Sequence, residues 1–279
     1  MFETSLERTG AGYFDRYLLH NLGAERTDVF TRYGLWDFLA EKKAKGLIRK
    51  LGFSFHDKAD VLDRLLTEHP EMDFVQLQIN YADWDSPTVQ SRLCYETAQR
   101  HGKPVIIMEP VKGGSLASLP ESSAAPMRRH SPQASLASWA LRFAASLEGA
   151  PIVLSGMSTL EQMQDNLSFM SDFVPLTDEE YSVIHEVQEL LLKTDHIPCT
   201  DCRYCMKDCP KGIKIAPIFS ALNTLKIYGN LARAKSSYGF ATSKGGKASD
   251  CIGCGQCESV CPQSIAIINT LRQAHKLLG

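Results

Sequence analysis

Short apolar runs in the first two thirds of the chain predict five β-strands. Each run is rich in leucine, β-branched and aromatic residues and is bounded by Gly, Pro, Asp or Asn. Runs of this length and composition are typical of buried strands. The predicted strands lie in residues 13–20, 47–56, 74–81, 103–110 and 151–156.

Between these runs, apolar residues recur at helical spacing. A period near 3.6 residues predicts amphipathic helices, and Thr177 with Glu180 forms a capping-box pattern at the start of one of them. A Ser/Ala/Pro-rich stretch at 118–132 predicts a loop, as does a Gly/Ser/Lys-rich stretch at 236–249. Helices are predicted over 27–45, 57–68, 87–101, 159–170, 176–193 and 215–234, with another containing Leu136 and Phe143.

Strands that alternate with helices imply parallel pairing and right-handed crossovers. The βα rhythm is that of a TIM barrel, but a complete barrel has eight units and about 250 residues. Five units fit before residue 199. The sequence therefore predicts an α/β fold, a partial TIM barrel of about five βα units.

The overall composition narrows the classes of partner. The chain has 279 residues, 44% of them hydrophobic, and a formal net charge of −2. That balance predicts neither a nucleic-acid partner nor an anionic membrane partner. No apolar stretch approaches the roughly 20 residues of a membrane span, and the first residues do not resemble a signal peptide. These features predict a cytoplasmic protein.

Eight of the nine cysteines form two runs near the C-terminus. Each run reads C-x2-C-x2-C-x3-C-P, the spacing of bacterial-type ferredoxins that hold two [4Fe–4S] clusters. Three closely spaced thiolates can face one cluster, while the fourth lies a helical turn further on and serves the other. One predicted ligand set is Cys199, Cys202, Cys205 and Cys261, and the other is Cys251, Cys254, Cys257 and Cys209.

The cysteine spacing allows other interpretations. A C-x2-C pair is often a zinc site, but zinc takes two pairs of ligands rather than three thiols and an offset fourth. Disulfides are rare in the cytosol. The clusters either relay single electrons or serve as a structural staple for a small domain. The ninth cysteine, Cys94, is predicted to be a buried apolar residue on a helix.

The predicted domain organisation follows from these two patterns. Residues 1–176 form the partial barrel, and residues 177–197 form a linking helix. Residues 198–279 form a small, mostly helical ferredoxin-like domain with two [4Fe–4S] clusters.

Four local motifs resemble the iron–sulfur subgroup of the aldo/keto reductase family, from the family's fourth strand onward. The resemblance rests on their order and spacing and covers nearly the whole chain. The motifs are Asp-Arg-Tyr-Leu-Leu-His at 15–20, Gly-Leu-Ile-Arg-Lys-Leu-Gly-Phe-Ser at 46–54, Phe-Val-Gln at 74–76, and Ser-Gly-Met-Ser at 155–158 with Gln162 and Asn166 following.

The resemblance implies reduction of a small-molecule carbonyl by NADPH or NADH, coupled to electron transfer through the clusters. It implies that His20 is the active-site histidine, at the strand end where barrel active sites are built. It further implies that Ser54 and Gln76 contact the nicotinamide carboxamide. The cofactor's phosphate and adenine are then held by Ser155, Gly156, Met157, Gln162 and Asn166.

Two departures from the family pattern weaken this prediction. Phe55 stands where the family usually has an asparagine, so one carboxamide contact is missing. Of the family's catalytic Asp, Tyr, Lys and His, only His20 is matched, and activity of this chain alone is doubtful. Backbone groups are an alternative set of partners for His20, Ser54 and Gln76.

Two functional hypotheses remain. The first is an NAD(P)H-dependent iron–sulfur oxidoreductase with a one-electron redox partner. The second is a non-catalytic, ferredoxin-like electron-transfer module on a truncated barrel, and the beginning Glu-Thr-Ser-Leu-Glu at 3–7 favours a truncation. An open parallel sheet leaves strand edges unpaired. Self-association, or complementation through the barrel edge, is therefore expected.

Overall fold

The computed structural model describes residues 1–24 and 26–279. The chain divides into two compact units that are not contiguous in sequence. The first, the sheet unit, comprises Met1–Pro110 and Ala140–Leu176. The second, the cysteine unit, comprises Val111–Trp139 and Thr177–Gly279.

The sheet unit contains one five-stranded sheet in which every pair of neighbours is parallel. Its strand order is β1-β2-β3-β4-β5, so each strand lies beside the next strand in the sequence. The five predicted strands and their parallel pairing are confirmed. The strands are β1 Phe14–Leu22, β2 Ile48–Phe55, β3 Phe74–Gln78, β4 Val105–Met108 and β5 Ile152–Val153.

Helices follow each strand of the sheet and make up the regular structure of the C-terminal segment. They are α1 Phe2–Thr9, α2 Thr27–Arg32, α3 Leu35–Ala44, α4 Ala59–Glu68, α5 Ser91–Arg100, α6 Glu121–His130, α7 Leu136–Ala145, α8 Leu160–Met170, α9 Asp178–Lys193, α10 Tyr204–Lys207, α11 Ile215–Tyr228, α12 Leu231–Thr242, α13 Gln256–Ser259 and α14 Ile267–Leu278. Among the described residues, no helix is both long and apolar enough to cross a membrane.

The central strands are buried because helices cover the sheet. Phe53, Val75 and Ile107 are fully shielded from solvent, as is Leu62 on α4. Gly52 of β2 lies against Phe74 of the neighbouring strand, where an added Cβ would meet the Phe74 carbonyl oxygen at 2.6 Å. A side chain at this position would force the two strands apart. Glycine is thus required by close packing within the sheet.

The prediction of one helix over 27–45 is wrong in its continuity. Two helices, α2 and α3, fill the range and are separated at Tyr33 and Gly34. Gly34 has φ 63°, the left-handed conformation that glycine adopts without a steric penalty. A glycine within a helical pattern can mark the end of a helix, but the apolar residues keep their helical spacing across Gly34. The spacing therefore predicts a single helix.

The prediction of a loop at 118–132 is also wrong. Residues 121–130 form α6, which contains Pro126 and packs against α9 within the cysteine unit. Ala124, Met127 and Ser123 are buried on its inner face. Tertiary packing here overrides the low helix propensity of a Ser/Pro-rich segment.

The segment between the two cysteine runs differs from the prediction in two places. The helix predicted over 215–234 ends at Gly229, whose φ is 67°, and a new helix begins after Asn230. The Asn230 side chain accepts a hydrogen bond from the Arg233 amide at 3.0 Å, as an N-cap residue does. This second helix, α12, extends to Thr242, so much of the loop predicted over 236–249 is helical.

The cysteine unit has its own apolar core. Ile218, Phe219 and Leu222 of α11 pack with Leu271 and Ala274 of α14. The partly buried cysteines at 199, 205, 209, 251, 257 and 261 pack against this core. The two cysteine runs therefore lie on an apolar support rather than on free loops.

Candidate functional site

The cysteines of the two runs line two separate cavities, and each cavity draws on both runs. The first cavity is lined by Cys209, Cys251, Cys254 and Cys257. The second cavity is lined by Cys199, Cys202, Cys205 and Cys261. The structure thus brings together the two sets of cysteines that the sequence spacing predicts.

Local backbone geometry explains how each run wraps around a cavity. In the first run, Asp201 and Arg203 adopt positive φ angles of 53° and 63°. In the second run, Gly253 and Gly255 do the same, with 71° and 78°. Left-handed residues turn the chain sharply, so the three leading cysteines face inward on one loop.

The fourth cysteine of each run is carried away from its own loop by a short helix. Cys209 follows α10, and Cys261 follows α13. These two short helices pack against each other. Each fourth cysteine therefore reaches the cavity of the opposite run.

Burial raises the pKa of three of these thiols. It is the main cause that raises the pKa of the Cys205 thiol to about 11, with a further contribution from the neighbouring cysteines. Burial also raises the pKa values of Cys199 and Cys257. Because thiolates are the metal-binding form, binding of a metal group here would release protons.

The two cavities fit a cluster better than a single ion. Within the described residues, no three His, Cys, Asp or Glu side chains are gathered closely enough to hold one metal ion. A zinc ion would need its sulfur ligands at about 2.3 Å from one point. Four cysteines spread around a cavity instead match the Cys₄ donor set of an iron–sulfur cluster.

In the sheet unit, two of the predicted cofactor contacts lie side by side. Ser54 of β2 and Gln76 of β3 are register partners in the parallel sheet. Ser54 is fully buried, and its hydroxyl accepts a hydrogen bond from the backbone amide of Asn21 at 2.7 Å. The Gln76 amide nitrogen donates to the Met108 sulfur at 3.3 Å. Both side chains therefore have partners within the protein, although the Ser54 hydroxyl keeps its proton available for donation.

Asn21 is a polar residue of this region that the sequence analysis did not single out. Its Oδ1 atom is buried and has no hydrogen-bond partner within the described residues. Its backbone has φ 69°, which is uncommon for a residue other than glycine. Both features lie at the end of β1, directly after His20, whose side chain is exposed. Only the folded backbone reveals them.

The predicted phosphate and adenine residues form a small hydrogen-bonded group at the start of α8. Asn166 donates to the Ser155 hydroxyl at 2.9 Å. The Gln162 side chain accepts from the backbone amides of Ser158, at 2.7 Å, and Thr159, at 3.3 Å. Gln162 thus completes a capping box with Thr159.

The remaining two residues of that group, Gly156 and Met157, are exposed. No atom lies within 4 Å of the position that a Cβ on Gly156 would occupy. The loop therefore has open space beside Gly156, a few residues before α8 begins.

A third cavity lies at the carboxyl ends of β2 and β3. Phe55, His56, Asp57, Gln78 and Thr88 line it. Burial lowers the pKa of His56, and the positive charges of Arg26 and His20 lower it further. Ser54 and Gln76 are not among its lining residues.

Cys94 differs from the other cysteines. It is buried on α5, as predicted, and burial raises the pKa of its thiol to about 12. A thiol with so high a pKa is neutral at physiological pH and unreactive.

The sequence matches two known families. The aldo/keto reductase family matches residues 1–189. The family described as 4Fe-4S dicluster domain matches residues 198–266. No curated protein is similar enough to count as a match.

Solved structures of several aldo-keto reductases are similar to this chain. One is AKR11C1 from Bacillus halodurans, with a TM-score of 0.53 and 22% identity; the alignment covers 67% of this chain and 65% of that one. Another is the thermostable Tm1743 in complex with epalrestat, with a TM-score of 0.53 and 20% identity over 67% and 64% of the two chains. A third, from Brucella melitensis, has a TM-score of 0.51 and 20% identity over 66% and 65%.

At these identities the structural likeness shows the fold alone. The chain spans slightly less than two thirds of the length of each of these proteins. The match to residues 1–189 covers more than half of the present chain. This chain therefore belongs to the aldo/keto reductase family, and a 4Fe-4S dicluster domain follows its reductase region.

Proposed function

We propose that this protein is an iron–sulfur oxidoreductase that couples NAD(P)H-dependent carbonyl reduction to one-electron transfer through two [4Fe–4S] clusters. The observation that carries the proposal is the pair of cavities that each combine cysteines from both runs. A ferredoxin-like domain over 198–279 would hold the clusters, and the partial barrel over 1–176 would hold the nucleotide. A protein with these cofactors is expected in the cytoplasm.

The proposed cluster ligands are the two sets already described. Cys199, Cys202, Cys205 and Cys261 would hold one cluster, and Cys209, Cys251, Cys254 and Cys257 the other. When bound, the clusters supply one-electron transfer. The protein's part is to exclude water with the apolar core behind the cysteines and to orient the eight thiolates.

The nucleotide would be held by backbone and side-chain groups of the sheet unit. Ser54 and Gln76, adjacent across β2 and β3, would contact the carboxamide. The unpartnered Oδ1 of Asn21 is an acceptor that can replace the asparagine contact missing at Phe55. Ser155, Gly156 and Met157, with Gln162 and Asn166 behind them, would hold the phosphate and adenine at the α8 N-terminus.

His20 is the proposed catalytic residue. Its imidazole would donate a hydrogen bond to the oxygen of a small-molecule carbonyl as hydride arrives from the nicotinamide. A positioned acid of this kind contributes about 10²–10⁴-fold to the rate. Replacement of His20 by alanine is expected to lower turnover within that range and to leave cluster content unchanged.

The proposal is tested on protein purified and reconstituted without oxygen. NADPH and then NADH are added, and the visible absorbance of the clusters is followed together with nicotinamide fluorescence. Nucleotide binding with loss of the cluster absorbance is the expected result. The variant Ser155→Asp should bind nucleotide more weakly because it adds negative charge beside the phosphate, whereas the control Ser168→Asp, further along α8, should bind normally.

A second candidate function is a non-catalytic electron-transfer module. The observation that favours it is that Ser54, Gln76 and Gln162 already hydrogen-bond within the protein. If dithionite bleaches the clusters but neither nucleotide binds, this second function replaces the first. Sedimentation of the same sample over a range of concentrations tests the self-association proposed for the two outer strands of the sheet, β1 and β5.

A further inference from the structure

Positive charge is concentrated in the segment that carries the cysteine runs. Residues 198–279 contain eleven lysines and arginines but four aspartates and glutamates, whereas the whole chain has 30 basic and 32 acidic residues. The net charge of −2 therefore conceals a basic C-terminal segment and an acidic remainder. A segment with this excess of positive charge attracts negatively charged partners.

Two loops of this segment lie against each other beside the first cavity. The Gly246 amide donates to the Gly212 carbonyl at 3.1 Å, and Gly246 forms a parallel bridge with Ile213. An added Cβ on Gly246 would lie 2.2 Å from the Lys211 carbonyl oxygen. The contact between the loops therefore requires glycine at position 246. The same contact keeps the lysines of the two loops close together.

These loops present four lysines to solvent. Lys211 and Lys214 flank the bridge on one loop, and Lys244 and Lys247 flank it on the other; all four are exposed. Within the described part of the chain, none of the four takes part in an ion pair. The lysine surface, defined by these four residues, thus carries four positive charges outside any ion pair, with one carboxylate nearby, that of Asp250, which accepts a hydrogen bond from the Lys247 backbone amide at 2.7 Å.

The lysine surface adjoins the first cavity. Lys211 lines the cavity beside Cys209, and Lys247 lies one short turn before Cys251. Ile252, which also lines the cavity, is 61% exposed. An exposed apolar residue with a charged rim has the composition of a protein-docking site.

We propose that the lysine surface is the docking site of an acidic one-electron carrier protein, which exchanges electrons with the group held by Cys209, Cys251, Cys254 and Cys257. The inference rests on the proposed function, because it assumes a cluster in the first cavity. One electron leaves the carrier and enters the cluster, so the carrier's redox group is oxidised by one electron and the cluster is reduced by one. No bond forms or breaks.

An electron carrier fits these observations better than a nucleic acid does. Lys211 lines the same cavity as the exposed Ile252, and none of the residues that line this cavity is aromatic, whereas sites for single-stranded nucleic acid combine a basic groove with aromatic side chains on which bases stack. Complementary charge speeds encounter and sets orientation, and it adds little to lasting affinity. A redox partner needs that combination, since it must dock and leave at each turnover.

The first experiment measures binding without turnover. Labelled, oxidised flavodoxin serves as the acidic carrier, cytochrome c as a basic carrier, and a single-stranded oligonucleotide as the nucleic-acid probe. Fluorescence anisotropy is recorded with the cluster-loaded protein at low and high salt. Flavodoxin is expected to bind at low salt, to be released at high salt, and to bind more tightly than either other probe.

Charge-reversal variants then locate the site. Lys214→Glu combined with Lys244→Glu is expected to weaken flavodoxin binding about tenfold or more. Lys235→Glu combined with Lys276→Glu makes the same charge change outside the two loops and should have a much smaller effect. Iron content shows that both variants carry their clusters.

The second experiment measures the rate at which reduced flavodoxin bleaches the clusters. The Lys214/Lys244 variant should react about tenfold more slowly, and the control variant at nearly the normal rate. Photoreduced deazariboflavin, a small neutral donor, should reduce both at the same rate.

Equal binding of flavodoxin to the charge-reversed and unmodified proteins would overturn the inference, as would tighter binding of the oligonucleotide. Failure of NADPH to bleach the clusters would instead contradict the proposed function. The binding of flavodoxin to the unmodified and charge-reversed proteins would still decide whether the lysine surface is a docking site.

Discussion

Cys209 and Cys261 are the residues on which the pairing of the two cysteine runs depends. Each follows a short helix, directly precedes a proline and lines the cavity of the opposite run. The pairing predicts that damage to the two clusters depends on which cavity loses its ligands, and not on which run is mutated.

Two double variants with equal numbers of substitutions distinguish these cases. Cys202→Ala with Cys261→Ala removes two ligands from one cavity and should retain about half of the iron and visible absorbance. Cys202→Ala with Cys209→Ala removes one ligand from each cavity and should lose most of both. Iron analysis after anaerobic reconstitution makes the comparison, with Cys94→Ala as the control that keeps its full iron content. Equal loss from the two double variants would exclude crossed pairing.

His56 supplies a pH dependence at the residue scale. Burial, Arg26 and His20 lower its pKa in the folded protein, so the unfolded chain takes up a proton more readily. Stability is therefore complete above the ordinary histidine pKa of about 6.5 and declines as the pH falls below it.

We expect His56→Gln to make the unfolding midpoint less sensitive to pH between about 7 and 5. Denaturant unfolding at several pH values measures this effect, and NMR titration of the His56 ring gives the pKa directly. The side chain is partly exposed, so the effect should be modest. An increase in stability on acidification of the unmodified protein, with no such increase in the variant, would contradict the assignment.

At the element scale, α8 shows how one side chain can serve both a helix and a proposed ligand site. Gln162 accepts from the amides of Ser158 and Thr159, which would otherwise lack partners at the helix start. The family resemblance implies that Gln162 contacts the cofactor. In the structure the Gln162 side chain caps α8, and its contact with a nucleotide stays a prediction.

Two substitutions of Gln162 separate these roles. Gln162→Ala removes the cap and should lower stability by about 1 kcal/mol. Gln162→Glu retains the capping box, as glutamate commonly does at this position, but places a negative charge near the proposed phosphate site. It should unfold like the unmodified protein and bind NADPH more weakly. Normal NADPH binding by the glutamate variant would remove Gln162 from the cofactor site.

For the whole molecule, the cysteines of the two runs pack against an apolar core that lies within the cysteine unit. Removal of the clusters should therefore weaken the cysteine unit selectively. In hydrogen-exchange experiments on chelated protein, α11 and α14 are expected to lose protection while β2 and β3 keep theirs. The sheet unit serves as the internal control. Loss of protection throughout the chain, or in neither unit, would contradict a selective effect of the clusters on the cysteine unit.

The strands were predictable because parallel, fully buried strands are short continuous apolar runs. The errors fall where local signals compete with packing. The polar α6 segment is helical because Ala124 and Met127 are buried, which no local pattern reveals. At Gly34 and Gly229, a left-handed glycine divides a range that has a continuous helical period.

Sequence alone determined the ligand chemistry of this protein, because thiol identity and spacing are local properties of the chain. It also determined where the strands lie along the chain, since apolar runs specify what must be buried. Only the tertiary structure decided that the cysteines of the two runs share cavities, that Asn21 leaves a buried oxygen beside Ser54, and that two lysine loops meet at one cavity mouth. Each of these depends on contacts between residues far apart in sequence, and such contacts are fixed only when the whole chain packs.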